Sequence, residues 1–162
     1  MPSSILPASK MKLLRIQGVN CFQVFWSPYH AYSMNATRAL ESSHPQYEQA
    51  KRRWETRTDP FWWNCLISSK AGGNKRVVRN WLARRGRVTI TEALKRKGYA
   101  KNGARLAKES KVSNAKDLVG SANLLVGKQM LHTSFKDLQH QADLIIEEVV
   151  RRQGLEKPKK QE

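Results

Sequence analysis

Hydrophobic positions near the C-terminus carry the clearest period in the chain. Phe135, Leu138, Ala142, Ile145 and Val149 step by three and four, which puts them on one face of an α-helix. Ser134 and Asp137 stand where a capping box would open that helix, with Asp in place of the usual Glu. The pattern predicts an amphipathic helix to about Arg152, stopped by Gly154. Two heptads are too few for a coiled coil.

At the other end, Lys12 to Gln17 alternates in part, Gly18-Val19-Asn20 suits a turn, and Cys21 to Trp26 is rich in β-formers. These residues predict a short hairpin, with a local helix as the competing reading. Residues 31 to 42 read as a short helix. A second, from about 45 to 57, gathers Tyr47, Ala50, Lys51 and Trp54 on one face. Thr58-Asp59-Pro60 looks like a helix start, with Asp59 as cap and Pro60 in the first turn. The Phe61–Ile67 run has no clear period and reads as a buried strand or a short buried helix.

Ala71-Gly72-Gly73-Asn74 is a loop ahead of a helix predicted over 75–85, whose apolar side is Val77, Val78, Trp81 and Leu82 and whose end is Gly86. Thr89 and Glu92 match a capping box for a further helix to about Lys97, closed by Gly98. Residues 104–110 read as helical, and 114–131 as a helix capped by Ser113 and weakened near Gly120 and Gly127. The expected fold is mainly α: several short basic helices, a C-terminal amphipathic helix and a small N-terminal β element, with α+β as the variant. The expected domain plan is a flexible segment 1–10, one basic domain 11–153 and a disordered tail 154–162. Within the domain, a basic body covers about 45–111 and a helical part about 113–153.

Charge changes the picture more than composition does. The chain has 162 residues and a formal charge of +17. Residues 51–111 hold eighteen Lys/Arg against four acids, so they carry +14 of it. Like charges packed this densely repel, and a polyanion relieves the repulsion while releasing its own counterions. Nucleic acid or an anionic membrane therefore outweighs a merely soluble basic surface. The first 40 residues contain no acid, one trait of a mitochondrial targeting segment. No apolar run approaches the roughly 20 residues that span a bilayer.

Signs of catalysis are sparse. Cys21 and Cys65 allow at most one disulfide and form no zinc pattern. His30, His44, His132 and His140 have no metal-binding helical spacing. Glu92 and Asp59 have structural uses, and Glu55 and Glu109 alone make no cation site for a nuclease. A Cys65–His44 nucleophile has no local signature, and Cys65 reads as a core thiol. Gly72 to Arg76 suits a phosphate or a plain loop equally. Trp54, Trp62, Trp63 and Trp81 interleave with the basic cluster, where aromatics can stack on bases; helix amphipathicity assigns Trp54 and Trp81 to the core, and at most one of Trp62 and Trp63 need face out.

No family-specific motif is identified. The sequence reads as an RNA-binding structural component of a large ribonucleoprotein, not an enzyme. A ribosome, mitochondrial in view of the acid-free N-terminus and otherwise cytoplasmic or nuclear, is the expected host. Expected partners are structured RNA, rRNA above all, and neighbouring proteins of the same particle. No cofactor, metal, membrane or small-molecule substrate is expected. The RNA contacts assigned are Lys75, Arg76, Arg79, Arg84, Arg85, Arg87, Lys95, Arg96, Lys97, Lys101 and Arg105, Arg above all because its fork matches phosphate oxygens. The alternatives are a DNA-binding helix-turn-helix protein, with Leu106-Ala107 before the turn and Val112-Ser113 opening the recognition helix, and a nucleic-acid-processing enzyme.

Overall fold

The computed structural model of the protein describes residues 5–68, 75–106 and 116–155. Its centre is a four-stranded mixed sheet, so the fold is α+β and the mainly-α expectation is corrected. Strand β1 (Lys12–Leu14), β2 (Phe22–Ser27), β3 (Phe61–Ile67) and β4 (Gly120–Val126) lie in the order β1-β2-β4-β3. The expected hairpin forms, with Lys12 opposite Trp26 and Leu14 opposite Val24. Strand β2 runs antiparallel to β4, and β3 runs parallel to it. The acid-free stretch thus supplies β1 and β2 of the sheet.

Helix α1 (Ala36–Ala39) is one turn, shorter than the 31–42 expected, and α2 (Tyr47–Glu55) lies within the expected 45–57. Helix α3 (Arg76–Arg96) and α4 (Phe135–Leu155) each have 21 residues. Together α3 and α4 cover one face of the sheet. Phe22, Val24, Trp26, Phe61, Cys65, Leu124 and Val126 meet Leu82, Ile90, Leu94, Leu138, Ile145 and Val149 there, all buried in one core. The segment from Pro28 to Asp59, with α1 and α2, lies on the other face.

Several expected boundaries are corrected. Gly86 does not end a helix. It lies buried in the middle of α3, where it faces Cys65. Thr89 is no cap: its hydroxyl donates back to the carbonyls of Arg85 and Gly86. Glu92 pairs with Lys95 instead. Gly98 does close α3. At φ +84° its N–H donates to Lys95 O, and the N–H of Tyr99 donates to Leu94 O, the paired bonds of a Schellman ending.

Asp59-Pro60 precedes a strand rather than a helix. Ala104–Leu106 are not helical, and Arg105 bridges Tyr99; the rest of the 104–110 helix lies outside the described residues. The helix expected over 114–131 is replaced by β4 from Gly120 on, and its expected start, with Val112-Ser113 of the helix-turn-helix alternative, lies outside the described residues. Ser134 does cap α4: its hydroxyl accepts the Asp137 N–H and donates to the Asp137 carboxylate. Leu138, Ala142, Ile145 and Val149 are buried as their spacing demands, but Phe135 is 50% exposed. Gly154 lies within α4, which continues to Leu155.

Candidate nucleic-acid interface

The eleven basic residues read from the sequence fall into three groups. Lys95, Arg96 and Lys97, at the end of α3, are neutralised. Lys95 pairs with Glu92, Arg96 with Asp143 at 2.7 Å, and Lys97 with Glu147. The acids of α4 therefore dock on the cations of α3, and the two helices are joined by charge above their shared core.

Arg85 and Arg105 are built inward. The Arg85 guanidinium donates to Met130 O at 2.9 Å and to Thr133 O at 2.8 Å, and it lies 4.9 Å from the Trp81 ring centre. It ties α3 to the turn before α4. Arg105 is half-buried over Tyr99, with one Nη reaching Lys97 O.

Lys75, Arg76, Arg79, Arg84, Arg87 and Lys101 remain. All six are exposed, and among the described residues none has a carboxylate within salt-bridge reach. At 100° per residue, Arg76, Arg79, Arg84 and Arg87 fall within an arc of roughly 140° on the helix surface. The first acid of α3 is Glu92. The helix N-terminus carries a partial positive charge of its own, and its first turn has no acid. The resulting surface is a one-signed cationic face running from the start of α3 to its middle.

Trp81 lies beside that face, 48% exposed, which corrects its assignment to the core. Its helix position lies past the edge of the sheet-facing stripe. Trp54 is half-buried and Trp62 is buried, stacked on His30 with ring centres 4.3 Å apart. Trp63 is the half-exposed one of the pair, and its indole N–H donates to Lys101 O at 2.7 Å.

Sequence reasoning missed a second set of residues. Arg87 and Lys101 line a hollow along β3 together with Arg57, Asp59, Trp63 and Asn64. The last four also line a larger cavity on the face of the sheet away from α3, with Arg53 at its edge. The charge density of Arg52-Arg53 and Arg57 was visible in the chain, but only the strand pairing brings it to the same edge as Arg87. Cys65 takes no part in this chemistry. Burial pushes its thiol up to about 12, against the opposing pull of Arg87. Among the described residues no cluster of three or more His, Cys, Asp or Glu could hold a metal ion, and no helix is long and apolar enough to cross a membrane. No protein-family model, curated protein or solved structure matches the chain.

Proposed function

We propose that the protein is an RNA-binding structural component of a large ribonucleoprotein, with a ribosome as the favoured host. The observation that carries this reading is the separation of cations along α3. The C-terminal turn pairs its charge with α4, while Arg76, Arg79, Arg84 and Arg87 face solvent without counter-charge among the described residues. Such a face suits phosphate oxygens in any sequence, which holds RNA in place without reading it. The organellar placement rests on the acid-free first 40 residues alone. Neighbouring proteins of the same particle are the expected further partners.

The test is a titration of structured RNA at several salt concentrations. Replacing Arg76, Arg79, Arg84 and Arg87 together by Gln should weaken binding and flatten its salt dependence, by about 0.7 to 0.9 in the log–log slope for each phosphate no longer neutralised. Duplexes of different sequence should bind alike. An unchanged slope refutes the assignment.

A further inference from the structure

We propose that the cavity on the sheet face opposite α3 and α4 takes one unpaired nucleotide, its base against Asn64 and Asn123 and its phosphate toward Arg53 and Arg57. The inference rests on the RNA-binding reading, since it names which part of the RNA enters and where.

The cavity is roomy for a layer interface. It measures about 750 Å³, within the usual range of small-ligand sites. Sheet and covering layer normally interlock at close-packed density. Here the covering segment offers Ala36, Ala39 and Ala50, which leave the space open, and the sheet offers amides in place of branched aliphatics.

Its floor is a pair of carboxamides. Asn64 of β3 and Asn123 of β4 are register partners on neighbouring parallel strands. Asn123 is only 2% exposed. Its Nδ2 donates to the Met11 sulfur at 3.1 Å, a weak acceptor. Among the described residues the Asn64 side chain makes no hydrogen bond. Ser121, two residues earlier on the same face, by contrast has a backbone partner, since its hydroxyl accepts the Ala31 N–H at 2.7 Å. Buried polar groups as a rule have partners. Two adjoining carboxamides present donors and acceptors side by side, the arrangement that pairs with the edge of a base, adenine above all.

The rim supplies charge and a route in. Arg57 lies over both Trp54 and Trp62, at 5.3 and 5.0 Å from their ring centres. Among the described residues it gives only its Nε to Asp59, which leaves its Nη groups for phosphate; Arg53 is exposed beside it. Trp63 lines both this cavity and the hollow beside Arg87. A strand held along Arg84 and Arg87 thus needs only to cross the β3 edge to place a nucleotide inside.

The test uses the full chain and three kinds of hairpin RNA: one with a single bulged nucleotide, each base in turn, one fully paired, and one whose bulge is abasic. A bulged hairpin should bind about tenfold more tightly than the paired one, near the low end of what one good carboxamide–base pairing contributes. The abasic bulge should lose that gain, as should Asn64→Leu, and Arg53→Gln should reduce it while altering only an exposed side chain. Circular dichroism checks that each variant is folded. Adenosine monophosphate alone, followed by tryptophan quenching that Asn64→Leu abolishes, would instead mark a free nucleotide as the occupant. Equal affinity for bulged and paired hairpins, with no quenching, overturns the nucleotide site and leaves the basic-face reading standing. Failure of the wild-type chain to bind any hairpin removes the basic-face reading, and quenching by the mononucleotide then decides the cavity on its own.

Discussion

A Cβ built on Gly86 would stand 2.6 Å from the Sγ of Cys65. The same atom would lie 3.3 Å from Val126 and 3.6 Å from Phe22, so α3 crosses the sheet at Gly86 with its backbone almost on β3 and β4. Closeness of the helix to β3 is also what sets Arg87 beside the hollow at the strand edge. Gly86→Ala gains up to about 1 kcal/mol of helix propensity. It overpacks a rigid site at a cost of about 1–3 kcal/mol. Net destabilisation is expected in a urea melt, and Cys65→Ala in the same chain should recover most of it by removing the sulfur. A more stable single variant would show that α3 shifts freely on the sheet.

Arg85 and Arg84 are neighbours in sequence with opposite work. Arg85→Gln removes two charged hydrogen bonds to the carbonyls of Met130 and Thr133, each contributing about 1.5–3 kcal/mol. Thermal stability should fall, while the salt slope of RNA binding stays as in the wild type. Arg84→Gln should do the reverse: little change in melting, a weaker and flatter RNA titration. If both substitutions acted on RNA binding alone, the structural role of Arg85 would be wrong.

Legibility followed the physics of each element. The hairpin and α4 bury chiefly one face, and α2 half-buries Tyr47, Ala50 and Trp54 on one face, so alternation or a helical step was visible in the residues. Strand β4 is buried on nearly every residue from Gly120 to Val126, which erases alternation, and its Leu and Ala residues suit helices as well. Gly86 looked like a helix end because close backbone approach and chain reversal use the same residue. Gly98 was read correctly, since the bonds that need its positive φ are local. Charge density exposed the cations of α3, yet which of them are neutralised depends on Asp143 and Glu147, some fifty residues away. The Asn64–Asn123 pair had no local signal at all. Only the parallel register of β3 and β4 creates it.

The acid limb of stability should carry a contribution from Glu148. Side-chain hydrogen bonding from Arg151, with Arg152 adding to it, holds its carboxyl below the ordinary value against a partial burial that pushes the other way. The unfolded chain therefore takes up the proton at higher pH than the folded one. This contribution is complete above the ordinary carboxyl range of about 4.3 and is lost as pH falls through the folded value. Glu148→Gln should cost under about 1 kcal/mol near neutrality, as surface pairs do. It should also flatten the fall in stability across the acid range. An acid limb as steep as that of the wild type would place the pH dependence elsewhere.

Bound RNA should raise the melting temperature, and the four exposed arginines of α3 should account for it. Arg76 and Arg79, like Arg84 and Arg87, stand three residues apart on the helix, a like-charge spacing that costs about 0.2–0.5 kcal/mol per pair. Lys75, Arg76 and Arg79 also crowd the positive end of the helix dipole. A ligand that binds only the folded form adds stability by mass action, and a polyanion relieves these repulsions at the same time. Replacing Arg76, Arg79, Arg84 and Arg87 by Gln removes the repulsion at its source. The variant should therefore melt higher than the wild type in low salt, with no RNA present. It should gain little further from a saturating structured RNA, whereas the wild type gains several degrees, as expected for about 1–2 kcal/mol in a chain of this size. Added salt should act on the wild type in two directions, screening the arginine face favourably and weakening Arg96–Asp143 and Lys97–Glu147. A wild type that melts as high as the variant in low salt, and is unmoved by RNA, would mean that the α3 face bears no strain for a polyanion to relieve.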